Sequence, residues 1–419
     1  MSLRHLFAGF VFLSSAGLLA WGQEEPLKLD ELVKEALRSN PEIAASQKRY
    51  EAARQRPSQA SSLPDPMFSP GYTSNGNPLP GAQLGTSPTS SIGFMVSQEV
   101  PFPGKLKLRG NIAGKEAEAE YQNYDVTQLG VISRVKQAYY RLSYAYAATG
   151  VLERNRELLN KLLRITEARY SVGRAAQQDV YKTQTQLSIL ETRLVQLLRE
   201  KEAREAELNS LLNRRPGTPL GKPPEPEPQI LATTLTEVYK YAEQNAPMLR
   251  RDQKMIERSE LAVNLARKDY YPDYTVSAGY FNQGSMPAMY QARVDIKVPL
   301  YFWRKQRAGV AEQAQSLVES RRNYEATNQN LHFRIKDDYL MADTSSRLVD
   351  LYGKTVIPQS TLALQSSLSS YETGTVDFLS VLTNYITVVE YEMNYYEELQ
   401  NFYLAVSRLE EMTGLSLIK

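Results

Sequence analysis

Cysteine is absent from all 419 residues. Its absence removes disulfide scaffolds, thiolate metal sites, cysteine nucleophiles and lipid attachment through an N-terminal cysteine. Histidine is nearly absent, with two in the whole chain, His5 and His332. A catalytic or metal-binding histidine needs partners, so His332, on a long helical stretch, reads as a surface or seam residue. No phosphate loop, GxSxG, HExxH or dinucleotide fingerprint occurs. The ten methionines are scattered, and Met286 with Met289 near a loop tip do not make a copper site. The expectation is a protein that is not an enzyme and carries no cofactor and no resident metal.

An excess of charge is also missing. Lys plus Arg number 49 against 47 Asp plus Glu, a net +2, which gives no reason to expect a nucleic acid partner. Beyond residue 22 no apolar run reaches the roughly 18 residues that a membrane-crossing helix requires. The first residues are different. Arg4 precedes an apolar stretch from Leu6 to Leu19, and Ala20-Trp21-Gly22 places small residues around a cleavage point before Gln23. Residues 1–22 therefore read as a secretory signal peptide.

What the chain does contain is a duplication. Leu29–Ile43 (LDELVKEALRSNPEI) aligns without gaps to Leu235–Leu249 (LTEVYKYAEQNAPML), matching Leu29 with Leu235, Ala36 with Ala242 and Pro41 with Pro247. Glu99-Val100-Pro101-Phe102 is echoed by Lys297-Val298-Pro299-Leu300, and Tyr170-Ser171-Val172-Gly173 by Tyr371-Glu372-Thr373-Gly374. Three echoes in one order at nearly the same offset, about 200 residues, mark an internal repeat. Between the copies, Pro216 to Pro228 holds six prolines, which bar both helix and central strand. The expected organisation is a signal peptide at 1–22, a first repeat at 23–215, a linker at 216–230 and a second repeat at 231–419.

Each copy predicts a short amphipathic helix (27–37 and 235–245), a second helix opening on Pro41 or Pro247, two strands and then long helices. No proline interrupts Leu108 to Tyr170. Ile132, Val135, Tyr139, Leu142, Tyr146, Thr149 and Leu152 recur at steps of three and four. Val180, Thr183, Leu187, Leu190, Leu194 and Leu197 do so again, as do Tyr385, Val388, Glu392, Tyr395, Leu399, Phe402, Val406 and Leu409. Such a repeat is a coiled-coil seam. A helix of about 60 residues spans about 90 Å, so these helices must lie along one another as hairpins turning at Gly173 and Gly374.

Helices alone are compatible with a soluble rod. The strands argue otherwise. Tyr290, Ala292, Val294, Ile296 and Val298 alternate with Gln291, Arg293, Asp295 and Lys297, and Tyr274, Val276, Ala278 and Tyr280 alternate with small polar residues. Alternation over about nine residues matches a tilted strand crossing a bilayer. In the first copy Ile92, Phe94 and Val96 alternate more faintly, with Phe68 and Tyr72 in the strand before and a Gly- and Pro-rich loop from Asn75 to Thr89. Tyr270, Tyr271, Tyr274, Tyr301, Phe302 and Trp303 gather at one end, Tyr280, Phe281 and Tyr290 near the other, as interfacial aromatic girdles do. Arg293, Asp295 and Lys297 then face a water-filled lumen. Four strands cannot close a barrel, and open edges in lipid leave backbone groups unsatisfied. Two copies supply eight strands, enough only for a filled interior; three supply twelve and room for water. Three is the expectation.

With these features in place the chain resembles the TolC family of outer-membrane efflux proteins across its whole length beyond residue 22. The resemblance rests on Asn40-Pro41-Glu42 in the entry helix, the Val-Pro-Phe and Val-Pro-Leu strand exits, and the turns at Tyr170–Val180 and Tyr371–Val381. Leu63-Pro64-Asp65-Pro66 and Phe102-Pro103-Gly104-Lys105 are similar to the branch associated with metal-efflux pumps. The resemblance implies a mainly α fold with a β-barrel part: long antiparallel helical hairpins forming an α-barrel, and four transmembrane β-strands per chain in a trimeric twelve-stranded barrel. It implies a passive outer-membrane channel with a periplasmic helical extension, working with a periplasmic adaptor and an inner-membrane pump. The tips Val172-Gly173-Arg174 and Thr373-Gly374-Thr375 match the positions where adaptors dock. Aspartates that form a constricting ring in some members are Ser380 and Thr383 here, and an arginine that pairs with the residue matching Asp179 is Val376. Asp377 and Arg174 remain near the tips, either as a gate contact or as solvated helix-end charges. The competing reading is a periplasmic coiled-coil adaptor or scaffold without a pore.

Overall fold

The computed structural model describes residues 26–418; the expected signal peptide lies outside them. Helix α1 (Leu29–Ser39) runs into α2 (Pro41–Ala53). The Asn-Pro-Glu motif makes that junction. Asn40 Oδ1 accepts from the Glu42 and Ile43 N–H groups at 2.9 and 3.3 Å, capping donors that have no partner within the helix, while Pro41 sits where a missing N–H is harmless. The Asn40 amide in turn donates to the Leu211 carbonyl at 2.8 Å, fixing this corner to a distant helix end. A short α3 (Arg56–Ser61) leads to strands β1 (Met67–Thr73) and β2 (Ser91–Val100). Helices α4 (Lys105–Ser171) and α5 (Gln177–Leu211) follow.

The remainder repeats this order with α6 (Leu235–Asn245), α7 (Pro247–Lys268), β3 (Asp273–Gln283), β4 (Met286–Lys297) and α8 (Lys305–Leu351). A π-helical turn over Tyr352–Val356 joins α8 to α9 (Ile357–Thr373), and α10 (Phe378–Thr413) closes the fold. At 67 residues, α4 is about 100 Å long. The two return helices, of 35 and 36 residues, are about half that, so each long helix is completed along its length by a second, shorter neighbour.

The π turn has an arithmetic origin. Buried Val131, Val135, Ala138, Leu142 and Ala145 of α4 correspond to buried Leu331, Ile335, Asp338, Ala342 and Ser345 of α8 at an offset of 200 (331 − 131). Beyond the turn, Thr166 corresponds to Ser367 and Gly173 to Gly374 at an offset of 201 (374 − 173). One extra residue must be housed without losing register, which is what a π turn does. It ends two residues before Pro358, whose ring and missing N–H disrupt an α-helical turn in any case. The sequence reading had no periodic signal for this interruption.

The four strands form one antiparallel sheet in the order β1-β2-β3-β4. The first and second hairpins are therefore joined through β2 and β3, with Phe94 opposite Tyr280 and Val96 opposite Ala278. Register carries the alternation across all four strands: Phe68, Val96, Ala278 and Ala292 form one row, Pro70, Phe94, Tyr280 and Tyr290 the next.

Packing along the helices follows the three-and-four spacing. Val135, Leu142, Leu152, Leu190, Leu194, Tyr385, Leu399, Phe402, Val406 and Leu409 are all buried. α4 runs antiparallel to α2, α5, α7 and α10, as pairs such as Arg134–Glu42, Arg156–Glu191, Arg258–Glu116 and Lys136–Glu410 record.

Between α4 and α7 the seam is charged: Lys115 contacts Glu118 and Glu257, and Lys254 contacts Glu118, each at 2.9 Å. The Lys115 contact holds the Glu257 carboxyl below its ordinary range. For Glu118, burial pushes upward but the two lysines outweigh it. Carboxylates depressed in the folded state contribute stability that is present above their unfolded value and lost as pH falls through the folded one. Melting followed at α4 and α7 is therefore expected to move to lower temperature as pH drops below about 4, with Glu257→Gln flattening that dependence.

Candidate functional site

The strands provide the first part of the site. Phe68, Phe94, Tyr280 and Tyr290 pack side by side across all four strands, with ring centroids 5.3, 6.3 and 5.5 Å apart in succession. Val276, Val294, Ile296, Val96 and Ile92 continue the same face and are exposed. A soluble single sheet with such a face has no way to bury it. The opposite face carries Ser97, Ser277, Arg293 and Asp295; Ser277 donates to Ser97 at 3.0 Å and Arg293 pairs with Asp295 at 3.0 Å. Lys297 lies on this polar face opposite Asp273. At the helical end Tyr270, Tyr271, Tyr301, Phe302 and Trp303 are exposed, and Tyr274 lies opposite Ile296. Phe281, which the sequence groups with the tip aromatics, belongs to the polar face. Its ring lies over Gly93 and Gly279, where side chains are missing.

The second part is the junction between sheet and helices. Lys105, the first residue of α4, is only 3% exposed, and its Nζ donates to both Asp273 oxygens at 2.9 and 3.0 Å. Asp269 adds a contact at 3.2 Å, and the Phe102 N–H donates to Asp273 at 2.8 Å. Gly104 takes a left-handed φ of +93° to turn the strand exit into the helix, a conformation glycine adopts without strain. Phe102 stacks on Tyr271 at 4.4 Å beside the Lys268 ammonium. The two copies are thus locked where strand becomes helix.

The third part is the tips. Both helical turns close the same way. Gly173 N–H donates to Tyr170 O and Arg174 N–H to Arg169 O at 2.9 and 2.8 Å; Gly374 N–H donates to Tyr371 O and Thr375 N–H to Ser370 O at 3.0 and 2.9 Å. This paired pattern requires a left-handed residue just past the helix, and Gly173 and Gly374 have φ of +71° and +88°. Val172, Gly173, Arg174, Thr373, Gly374 and Thr375 are all exposed.

Asp377 caps α10: its carboxylate accepts from the Ser380 N–H and hydroxyl, which hold its pKa below the usual value. Among the described residues no ion pair joins Asp377 to Arg174. Ser380 and Thr383 are exposed on the first turns of α10, and Asp179 is half-buried in the first turn of α5.

The residue that the sequence reading missed at the tips is Arg169. It leaves α4 and donates to the last carbonyls of α9, Tyr371 O and Glu372 O, the latter at 3.0 Å. Its guanidinium sits 4.6 Å from the centre of the buried Tyr371 ring. A cation on a helix C-terminus satisfies its orphan carbonyls and its dipole. Arg169→Ala is expected to weaken the second tip by about 1.5–3 kcal/mol, the worth of charged hydrogen bonds. Hydrogen exchange at residues 370–377 should rise while exchange at 170–176 changes little.

In the sheet and along the long helices the chain is a strip four elements wide, with α1 and α6 packed onto it at mid-height. In the sheet the order is β1-β2-β3-β4. Nearer the sheet, α2 and α3 flank α4, followed by α7 and α8; toward the tips α5 flanks α4, followed by α10 and α9. One edge is β1, α3, α2 and α5; the other is β4, α8 and α9. Both edges are unpaired among the described residues.

The chain matches the sequence profile of the family described as Outer membrane efflux protein over residues 32–214 and 238–415. No curated protein matches it. Among solved structures it is similar to VceC from Vibrio cholerae, at 17% identity with a TM-score of 0.78, covering 93% of this chain and 96% of that one. It is also similar to the open-state MtrE channel of Neisseria gonorrhoeae, at 17% identity and TM-score 0.77, covering 93% and 89%. CusC, a transmembrane channel, aligns at 15% identity and TM-score 0.78 over 92% and 91%.

Proposed function

The chain belongs to the outer membrane efflux protein family, and on that premise we propose that this outer-membrane channel is a passive homotrimeric duct docking a periplasmic adaptor and an inner-membrane pump. The observation that carries the proposal is the strip with two free edges. Edge N–H and C=O groups of β1 and β4 have no water to bond in a bilayer, and each costs several kcal/mol if left bare. Pairing β4 of one copy with β1 of the next satisfies those along the length the two strands share. Twelve strands leave an aqueous lumen where eight do not, and the same rotation carries the helices into a continuous tube. In that assembly Arg293, Asp295 and Lys297 line the lumen, and the apolar face with Tyr270, Tyr271, Tyr274, Tyr280, Tyr290, Tyr301 and Trp303 meets lipid and its interfaces. The scaffold reading has no use for such a face.

Substrate moves through this lumen by diffusion, and energy comes from the partner pump. We propose that each chain comprises two structural repeats, 23–215 and 231–419, joined by the linker 216–230. The identical hydrogen bonding of the two tips supports this division. The exposed residues 172–174 and 373–375 form the adaptor seats. Closure near Asp179, Asp377, Ser380 and Thr383 proceeds without a ring of carboxylates, since two of these four are hydroxyls and Asp377 serves its own helix.

The test is purification in detergent, with mass and conductance measured on one sample. A trimer forming pores in planar bilayers is expected; a water-soluble monomer without conductance overturns the reading. Gly374→Trp adds bulk and strain at an exposed left-handed position. It is expected to reduce adaptor cross-linking at least tenfold while the trimer persists.

A further inference from the structure

Beside the π turn lies a groove of about 650 Å³ lined by Leu231, Tyr339, Val349 and Tyr395 together with the Asp343–Arg347 and Asp350–Lys354 ion pairs. Gly353 opens it, since a Cβ there would come 3.3 Å from the Tyr395 ring. Around it the long helix loses its packing. No residue between Val349 and Leu364 is buried, whereas the corresponding stretch of α4 buries Val151, Leu152, Asn155, Leu159 and Leu162. Phe333, Leu340 and Leu351 are exposed, at 67%, 49% and 49%. At 100° per residue they point directly away from the buried stripe of Leu331, Ile335, Asp338, Ala342, Ser345 and Val349. The outer edge of the strip therefore carries an apolar ridge next to a groove that is partly apolar.

The other edge carries a matching feature. On α5, exposed Tyr181 lies opposite the buried Thr183, Leu190, Leu194 and Leu197, and Val195, fourteen residues on (195 − 181), lies to one side of that direction, about 130° from the buried stripe. Val195 is 67% exposed, and Leu198 flanks it.

Their heights agree, with α4 as the ruler. Glu191 of α5 meets Arg156, and Glu207 meets Arg141. In these antiparallel pairs the residue numbers sum to 347 and 348, so Val195 stands level with residues 152–153 of α4. On the other side Glu392 of α10 meets Asn155, and Tyr395 lies against Gly353. This sets Leu351 and the groove at the same level to within a few residues, each about 1.5 Å along the axis.

A closed ring of identical copies has no shift along its axis, so features level within one copy meet between neighbours. We propose that Val195 and Leu198 of one copy seat in the groove beside the π turn of the next, against Leu351. The partner is a second copy of this chain, and the inference rests on the homotrimer reading above. In this arrangement the extra residue of the second repeat widens the helix where the neighbouring α5 must fit.

The absence of cysteine makes the test clean. Val195→Cys with Leu351→Cys is treated with a short bismaleimide in outer membranes, next to Val195→Cys with Phe333→Cys as a control. Phe333 lies on the same exposed face but 18 residues (351 − 333), about 27 Å, away along the axis. Each single variant is first sized in detergent, and Leu198→Cys replaces Val195→Cys if the latter does not assemble. The expected result is conversion of most of the protein to covalent trimer with the Leu351 pair and none with the Phe333 pair. A trimer that does not cross-link through Leu351, or that cross-links equally through Phe333, overturns the seat and leaves the trimeric duct standing. A monomeric double variant whose single variants are also monomeric overturns both.

Discussion

Gly93→Val is expected to abolish the assembled channel. A Cβ at Gly93 would stand 2.0 Å from the Tyr280 carbonyl oxygen and 2.7 Å from the Phe281 Cα, both backbone atoms of β3. Backbone cannot swing aside as a side-chain tip can, so β2 and β3 must separate. That ladder is what joins the two hairpins into one sheet. Breaking it inside a bilayer bares N–H and C=O groups at several kcal/mol each, which together exceed the 5–15 kcal/mol that holds a typical fold. The variant should give no heat-resistant trimer on a semi-native gel and no conductance, while far-UV circular dichroism keeps most of its helical signal. Gly279→Ala is the informative companion. Its added carbon meets the Phe281 ring at 2.8 Å and the Phe94 carbonyl at 3.2 Å, and a ring can rotate. Trimer is expected to survive there with a lower dissociation temperature. Equal loss in both variants would remove the close-approach explanation.

Asp273→Ala carries the second large effect. Lys105 is buried with its ammonium on Asp273, and the remaining partner Asp269 is 53% exposed. Removing one member of a buried pair strands the other, a penalty of about 3–5 kcal/mol. The loss falls where β2 becomes α4 and α7 becomes β3, so it should loosen the sheet from the helices before either unfolds. The double replacement Lys105→Met with Asp273→Leu removes both charges and is expected to recover much of that loss, because desolvating the pair opposes its attraction. Thermal dissociation of the detergent-solubilised trimer, taken for Lys105→Met, Asp273→Leu and the double, measures this. Additive destabilisation in the double variant would mean that the ion pair is not the source.

Much of the architecture was legible because it rests on local periodicity. Alternation at Tyr290–Val298 required a two-faced strand, and the sheet carries it, since a pleated strand must send successive side chains to opposite faces. The steps of three and four through Leu190, Leu194 and Leu197 became a buried stripe, with Leu187 half-buried at its end, for the corresponding helical reason. Gly173 and Gly374 were identifiable as turns because few other residues enter the left-handed region without strain. Asn40 and Pro41 announced a helix start through their own hydrogen-bonding capacities.

What stayed hidden depends on residues far apart in the chain. Arg169 reaches carbonyls 202 and 203 positions away, and nothing beside it in the sequence marks that reach. Lys105 was visible within Phe-Pro-Gly-Lys, but its burial depends on Asp273, brought near only when the two copies pair through β2 and β3. Phe281 looked like one more interfacial aromatic until register set it over two glycines. The π turn is a one-residue difference between copies that apolar spacing absorbs without trace. The sequence alone determined which segments are helix or strand and which faces are apolar, because those properties follow from neighbours a few residues away. Only the tertiary structure decided which edges remain open, which charges are buried and where the two long helices differ, because these depend on the packing of segments some 200 residues apart.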